Sequence, residues 1–365
     1  MSDTNDFETV NGELKKYKGK DAELTVPDGI TSIGYRAFAG CRNLTRIVIP
    51  NGVRSIGESA FSACTKLKSV IIPDSVTSIG EHAFSDCINL TGVEIPGSVT
   101  DIGAHAFGGC RTLTSAVMHN GIKAVAIPDS AFEGCSSLTG VELSDNVTRI
   151  GSWAFKDCEN LTGIKLPSSV SSIGMYAFKW CTSLTEVTTA DTVTGIVNPD
   201  ATACIDRSAF EGCTKLKRVT VPHSITSIEE GAFANCNTLR SISIPDTVTV
   251  INHNAFKSCY KLRDLVLPSS LTFIGKEAFD NCKSIKSIVI PHGVTSIGNY
   301  AFFNCQRLTD IVIPDSVTSI GYNVFGWCIN LTRIVCSESV TALLDEYLRD
   351  RTVGNLQEEP NSDKE

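Results

Sequence analysis

The hydrophobic positions of the chain repeat with a period of about 23 residues, which lies in the range typical of repeat proteins. One unit reads CINLTGVEIPGSVTDIGAHAF from Cys87, and another reads CQRLTDIVIPDSVTSIGYNVF from Cys305. In the first part of a unit, inward and outward positions alternate, as Ile47 and Ile49 do around Val48. Alternation with a period of two predicts a β-strand with one buried face. Each unit is therefore expected to begin with such a strand.

The second part of each unit has the composition of a turn. Pro50 is expected to end the strand, because proline has no N–H to give to a sheet. Val53 and Ile56 are expected to point inward again, and Gly57 is expected to permit a turn with positive φ. The i, i+3 and i+4 spacing over residues 60–64 predicts a short helical or 3₁₀ turn.

Two residue types recur once in every unit and indicate a continuous core. Stacking in register places phenylalanine over phenylalanine, and a small, weakly polar cysteine suits a second core position. Thirteen equivalent cysteines cannot all pair, so we expect them to be reduced and buried. The phenylalanines are Phe38, Phe61, Phe84, Phe107, Phe132, Phe155, Phe178, Phe210, Phe233, Phe256, Phe279, Phe302 and Phe325. The cysteines are Cys41, Cys64, Cys87, Cys110, Cys135, Cys158, Cys181, Cys213, Cys236, Cys259, Cys282, Cys305 and Cys328.

These units predict a repeat solenoid. Ten of the twelve steps between recurring cysteines have the same length as the step from Cys64 to Cys87, a period typical of leucine-rich repeats. A single unit buries too little apolar surface to offset the entropy of ordering it, so neighbouring coils must share one interior. We expect about 13 repeats over residues 23–336.

Both ends of the repeat array carry signals of a cap. In residues 1–22, the Asn11-Gly12 pair is the preferred two-residue turn of a hairpin. Residues 337–352 predict a capping helix, with a partner-binding helix as the alternative. Residues 353–365 are polar and acidic and are predicted to be disordered. The apolar face of the helix is expected to comprise Val340, Leu343, Leu344, Tyr347 and Leu348.

Two repeats are longer than the others. The step from Cys110 to Cys135 is slightly longer than the common one, and the step from Cys181 to Cys213 is much longer and contains an extra cysteine, Cys204. Insertions in solenoids form surface loops, often near a binding face. Drift that is neutral for function is the alternative interpretation.

Charge and hydropathy bound the partners and the location. The formal net charge is −8 and no basic patch is present, so a nucleic-acid partner is not expected. No apolar stretch approaches the length of about 18 residues that a membrane span needs, and the N-terminus lacks the apolar region of a signal peptide. The chain as given is expected to be cytoplasmic; a trimmed form of an exported protein would place it at the cell surface or outside the cell.

The sequence contains no motif of a catalytic or cofactor site, so neither an enzyme nor a bound cofactor is expected. His82 and His105 share a repeat position in adjacent coils and could hold a metal weakly, although a surface coincidence explains them as well. The Asn-x-Thr sequons arise from the consensus sequence of the repeat. They are interpreted as its by-products unless a eukaryote secretes the chain. No metal site is predicted.

One outward column of the strands is a candidate protein-binding site. Its last four members are valines beside two aspartates and an arginine, and an exposed apolar stripe with a charged rim is typical of a protein-binding patch. The high strand propensity of valine is the alternative interpretation. The candidate residues are Val266, Val289, Val312, Val335, Asp264, Asp310 and Arg333.

The unit IPDSVTSIGxxAFxxCxxLTxIxI resembles the BspA-like leucine-rich repeats over about residues 23–336. The resemblance implies a right-handed, curved solenoid with a parallel sheet on its concave side. It also implies binding of proteins or host surfaces by exported members, and it supplies no catalytic residues. Glu229 and Asn252 replace the turn glycine in two repeats. Two functions are therefore expected: a non-enzymatic scaffold for protein–protein interaction, or a cell-surface adhesin.

Overall fold

The chain is divided into two compact units, Met1–Asn198 and Pro199–Glu365. The structure is a computed structural model that describes residues 6–121, 123–189, 203–348 and 356–357. In both units the chain winds through successive coils, about 13 in all, and most coils contain a first strand and a short second strand. The repeat solenoid predicted from the sequence is confirmed.

The strands of the first unit follow an N-terminal hairpin of β1 (Phe7–Val10) and β2 (Glu13–Tyr17). The first strands are β3 (Glu23–Thr25), β5 (Arg46–Val48), β7 (Ser69–Ile71), β9 (Gly92–Ile95), β11 (Ser115–Met118), β13 (Gly140–Glu142), β15 (Gly163–Leu166) and β17 (Glu186–Thr189). The second strands are β4 (Ser32–Ile33), β6 (Ser55–Ile56), β8 (Ser78–Ile79), β10 (Asp101–Ile102), β12 (Val125–Ile127), β14 (Val147–Ile150) and β16 (Ser172–Ile173).

The second unit has the same two-strand coils and ends in a helix. Its first strands are β19 (Arg218–Thr220), β21 (Ser241–Ser243), β23 (Asp264–Leu265), β25 (Ser287–Val289), β27 (Asp310–Val312) and β29 (Arg333–Val335). Its second strands are β18 (Cys204–Ile205), β20 (Ser227–Ile228), β22 (Val250–Ile251), β24 (Phe273–Ile274), β26 (Ser296–Ile297) and β28 (Ser319–Ile320). Helix α1 (Glu338–Leu348) and a short strand β30 (Leu356–Gln357) follow. Residues 190–202 of the longest repeat lie outside the described residues.

Strands of successive coils pair in parallel, so that equivalent residues stack. Ile47 pairs with Val70 in the next first strand, and Ile56 pairs with Ile79 in the next second strand. All four side chains are buried. The first strand was predicted from its alternation, whereas the second was not, because Ser55–Ile56 is too short to show a period of its own.

The phenylalanine column lies in the core, as predicted. All thirteen rings are buried. Neighbouring rings lie nearly parallel: the centroids of Phe38 and Phe61 are 4.9 Å apart, and those of Phe84 and Phe107 are 5.3 Å apart. Each ring therefore packs between the rings of the adjoining coils, and this contact links the coils along each unit.

The short helical turn predicted over residues 60–64 is instead a run of tight turns. Hydrogen bonds within the coil, such as Ala60 N–H to Gly57 O at 3.2 Å, alternate with bonds to the next coil, such as Phe61 N–H to Ala83 O at 2.7 Å. Ser59 and Ala63 have φ of 54° and 55°. A helix cannot form here because positive φ recurs every fourth residue and every other N–H is given to the neighbouring coil.

The prediction of positive φ at Gly57 is wrong. Gly57 does not have positive φ. Glycine suits this position because the backbones of two neighbouring coils come close together there. A Cβ at Gly57 would lie 2.8 Å from the carbonyl oxygen of Ile33, and one at Gly80 would lie 2.6 Å from the N of Glu58. Glu229 and Asn252, which replace this glycine, likewise lack positive φ, and their side chains hydrogen-bond to each other at 2.9 Å.

The N-terminal hairpin caps both the second-strand sheet and the aromatic column. Strand β2 pairs in parallel with β4, and Asn11 and Gly12 form the hairpin turn with φ of 49° and 77°. The ring of Tyr17 lies 5.4 Å from that of Phe38, and Phe7 lies 5.2 Å beyond Tyr17. Two hairpin rings thus continue the stack over its otherwise open end.

Helix α1 packs Val340 and Leu344 against the core beside β28. Leu343, predicted on the same face, is 41% exposed, because each residue turns the helix by about 100° and Leu343 lies off the line of the other two. The side chains of Tyr347 and Leu348 lie outside the described residues. In the described part of the chain, no helix is long and apolar enough to cross a bilayer.

Strand β30 falls within the segment predicted to be disordered, and it pairs in parallel with β29. The disorder prediction therefore does not hold for Leu356–Gln357. The other residues of that segment, 353–355 and 358–365, lie outside the described residues.

Candidate protein-binding face and recurring columns of the coil

Three of the four candidate valines lie on consecutive first strands of the second unit. Val289, Val312 and Val335 are partners in the parallel register of β25, β27 and β29. Val266 directly follows β23, one coil earlier. The parallel register brings three of the four side chains into one row, and this row continues to Val266 by repeat position.

Exposure differs along this valine stripe, which comprises Val266, Val289, Val312 and Val335. Val266 is 80% exposed and Val289 is 64% exposed, whereas Val312 and Val335 are half-buried. Their inward neighbours Ile288 and Ile311 are buried. The stripe therefore presents two fully accessible apolar side chains at its N-terminal end.

The charged candidates flank the stripe and are held by short-range pairs. Arg333 and Asp310 occupy paired positions of β29 and β27, with a guanidinium nitrogen 3.7 Å from a carboxylate oxygen. The hydroxyl of Thr309 also donates to Asp310 at 2.5 Å. Asp264 accepts from the Nε of Arg263 at 3.4 Å. These groups form a polar rim whose charges are partly neutralised.

The C-terminal end of the stripe is bordered by the chain itself. Val335 pairs with Gln357 of β30, and Ile334 pairs with Leu356. The accessible part of the stripe is therefore its Val266–Val289 end.

The two histidines that share a repeat position stack on each other. The ring centroids of His82 and His105 are 4.7 Å apart with an angle of 13° between the planes, and Nε2 of His82 lies 3.5 Å from a carboxylate oxygen of Glu81. Among the described residues, no group of three or more His, Cys, Asp or Glu side chains is arranged to hold a metal ion.

Asparagines of the sequons bond to the preceding coil. The side-chain amides of Asn89, Asn160 and Asn330 donate to main-chain oxygens of Thr65, Ser136 and Gln306 at 2.6, 2.8 and 2.6 Å. These asparagines thus link neighbouring coils.

The cysteine column is reduced, and its thiols bond within the core. The Sγ of Cys64 donates to the carbonyl oxygen of Phe38 at 3.1 Å, and Cys110 donates to Phe84 at 3.2 Å. Burial raises the pKa of Cys110 to about 12 and that of Cys41 to about 11. Such thiols are structural, because the reactive thiolate form is suppressed.

The turns contain two columns of positive φ that sequence reasoning missed. One column immediately precedes the Ala-Phe pair, and the other immediately precedes the recurring cysteine. Gly, Asn and Asp are frequent in the second column, as this conformation favours, and that enrichment was the available signal. The three tryptophans of the chain all lie in these columns: Trp153, Trp180 and Trp327 have φ of 55°, 64° and 60°.

A stack of two-strand parallel coils with buried leucine and isoleucine columns defines a leucine-rich repeat protein. The model of the BspA type leucine rich repeat region, which spans six copies, matches residues 16–126, 122–198, 190–306 and 272–355. The chain belongs to the BspA-type leucine-rich repeat family.

Two solved structures of bacterial proteins resemble the chain over nearly its whole length. A leucine rich cell surface protein from Faecalibacterium prausnitzii A2-165 is 32% identical, with 93% of each chain covered and a TM-score of 0.52. A leucine-rich repeat protein from Bacteroides ovatus ATCC 8483 is 24% identical, with 99% of this chain and 97% of that chain covered and a TM-score of 0.58. At 24% identity, the similarity to the Bacteroides ovatus protein supports the fold and nothing further. Comparison with curated proteins gives no match.

Proposed function

We propose that the chain is a non-enzymatic scaffold for protein–protein interaction and that the valine stripe contacts its partner. The observation that supports this proposal is the exposure of Val266 and Val289, at 80% and 64%, at the same repeat position of successive coils. A row of exposed apolar side chains is typical of a surface that a protein partner covers.

The surroundings of the stripe suit a protein partner. The row itself is uncharged, while Asp264, Asp310 and Arg333 lie at its side. Protein interfaces commonly combine a centre depleted of charge with a polar rim. Because the rim has both signs of charge, it favours a partner surface that is not strongly acidic or basic.

A charge-insertion experiment tests this site. The double variant Val289→Lys, Val312→Lys is expected to lose at least 10-fold in the amount of partner captured from an extract of the source cells, since desolvating two ammonium groups opposes binding. Ile71→Lys is the matched control, because Ile71 is 52% exposed in the same outward column of the first unit. Circular dichroism would verify that both variants fold. Equal capture by the wild type and the double variant would refute the valine stripe as the binding site.

The alternative is a cell-surface adhesin that binds host proteins or proteins of other cells. It is favoured by the likeness to the Faecalibacterium prausnitzii protein, which is described as a cell surface protein. Brief protease treatment of intact source cells, followed by immunoblotting, decides between the two. An adhesin is degraded, whereas complete protection of the chain together with a cytosolic marker would exclude this role.

A further inference from the structure

The aromatic residues on the turns of the second unit form a second exposed surface, which the valine stripe does not include. Tyr322, Trp327 and Ile329 are 63%, 64% and 64% exposed. Tyr300 and Phe303, one coil earlier, are half-buried beside them. We call these five residues the aromatic patch.

Contacts between rings join three residues of the patch. The ring of Tyr300 meets both Tyr322 and Phe303 edge to face, with centroids 5.6 Å apart in each pair. Phe303 lies over Gly326, where an added Cβ would be 2.7 Å from Cδ2 of the ring. Gly326 directly precedes Trp327, which places Trp327 on the turn next to these rings.

Two residues of the patch lie in the columns of positive φ that recur along the repeat. Tyr300 and Trp327 have φ of 58° and 60°. Neighbouring coils hold the backbone in this conformation, and the direction in which it presents each side chain is therefore fixed. Asn281 and Asn304 occupy the column of Trp327 in the two preceding coils, with φ of 63° and 57°. The strained tryptophan therefore stands where the same chain elsewhere uses a residue that suits the conformation.

The patch is uncharged and is bordered by carboxamides. Residues 298–306 and 321–331 contain no Asp, Glu, Lys or Arg, whereas residues 275–286 of the coil before them contain five. Asn304 donates to the Oδ1 of Asn281 at 2.7 Å, and Gln306 donates to the Oδ1 of Asn304 at 3.0 Å. These bonds fix the amides in place, and each NH₂ group has a second N–H to offer.

We propose that the aromatic patch binds a neutral carbohydrate. A pyranose ring presents a C–H face, which packs on exposed aromatic rings, and an edge of hydroxyl groups, which amide donors and acceptors recognise. The patch itself has no charged side chain, which argues against an anionic ligand. The proposal does not rest on the protein-binding role of the valine stripe, which lies on the first strands.

Affinity electrophoresis tests this proposal with defined probes. The full chain would be run in native gels that contain mannan, galactomannan or xyloglucan, and in a gel that contains anionic polygalacturonate. We expect at least one neutral polysaccharide to retard the wild type, and we expect Trp327→Asn to weaken the apparent affinity at least 10-fold. Trp180→Asn is the matched control, because Trp180 occupies the same column in the first unit with φ of 64° and should leave the retardation unchanged.

The outcomes distinguish a carbohydrate site at the patch from non-specific retardation. Asn already occupies this column in three coils, so Trp327→Asn should fold, and a thermal melt would verify it. A second variant, Tyr322→Ala, should weaken retardation without touching the left-handed columns. Wild-type migration unaffected by every neutral polysaccharide, retardation by polygalacturonate alone, or equal losses in Trp327→Asn and Trp180→Asn would each overturn the proposal. The valine double variant should be retarded like the wild type.

Discussion

At the scale of single residues, a cysteine fills the same position of the core in successive coils. The cysteine side chain is small enough for the core and still provides an S–H as a second donor to a buried carbonyl: Phe210 O accepts from the N–H of Cys213 and from the Sγ of Cys236, each at 3.2 Å. Burial raises the pKa of Cys236 well above its ordinary value. Cys236 is thus unreactive because it is enclosed in the core.

Thiol labelling of the native protein should therefore be restricted to the two half-buried cysteines. At pH 8, iodoacetamide is expected to modify Cys41 and Cys204 slowly and to leave Cys236 unmodified. A raised pKa means that the thiolate fraction increases only as the pH approaches that pKa, so raising the pH to 9 should accelerate labelling of Cys41 while Cys236 stays protected. Mass spectrometry of peptides measures this. Labelling in urea provides the control in which Cys236 must react, and rapid native labelling of Cys236 would contradict its burial.

At the scale of the coil, glycine sets how closely two turns approach. The column that includes Gly57 and Gly80 has backbone atoms of one coil where a Cβ of the next would lie. Glycine is thus used here for space between backbones rather than for its conformational freedom. The residues with positive φ instead lie in two other columns. Ser, Trp and Tyr adopt this conformation there because neighbouring coils hold the backbone in place.

Replacing one of these glycines should separate two coils. Gly80→Ala is expected to lower the free energy of unfolding by about 2 kcal/mol, because the new Cβ would lie 2.6 Å from both the N of Glu58 and the C of Gly57. Gly140→Ala is the control, since nothing lies within 4 Å of a Cβ at that position. Urea unfolding followed by circular dichroism measures both. A loss for Gly140→Ala as large as that for Gly80→Ala would show that the close approach does not set the cost.

Sequence periodicity predicted those features that depend on side chains within one repeat. The alternation around Ile47 and the recurrence of phenylalanine identified the first strand and the core. The second strand, the run of tight turns and the role of Gly57 were not predictable in this way, because they depend on hydrogen bonds and contacts to the neighbouring coils. The spacing of residues 60–64 predicted a helical turn, but hydrogen bonds between coils determine the backbone conformation there.

The candidate sites show the same division. The sequence predicted that the valines share a column, and the parallel register of Val289, Val312 and Val335 follows from that periodicity. Their unequal exposure was not predictable, because it depends on neighbouring chain such as β30. Sequence reasoning missed the aromatic patch because Tyr300 and Trp327 stand at positions where many residue types occur. Their positive φ values are visible only in the structure.

At the scale of the whole molecule, each unit is a stack in which a coil contacts only its neighbours. Stability in such an array is approximately a sum of the stability of each coil and of each interface, so the end coils are the weakest unless they are capped. In the first unit the cap is specific: Tyr17 is buried on Phe38, and its hydroxyl donates to Asp21 at 2.7 Å. Burial, the largest cause, raises the pKa of Tyr17 to about 12, so the ring stays neutral over the whole range in which the protein is handled.

Removing this ring should loosen the first unit from its N-terminal end. Tyr17→Ala is expected to lower local stability by about 3 kcal/mol, because it opens a cavity on Phe38 at the end of the column. In a stack with nearest-neighbour coupling, hydrogen exchange should accelerate by about 100-fold at Ile33 and Phe38 and progressively less towards Phe155. Tyr35→Ala, which removes a ring that is 61% exposed in the same coil, should leave exchange unchanged. Uniform acceleration from Phe38 to Phe155 would instead mean that these coils open as one cooperative block, in which the cap stabilises every coil equally rather than protecting the end.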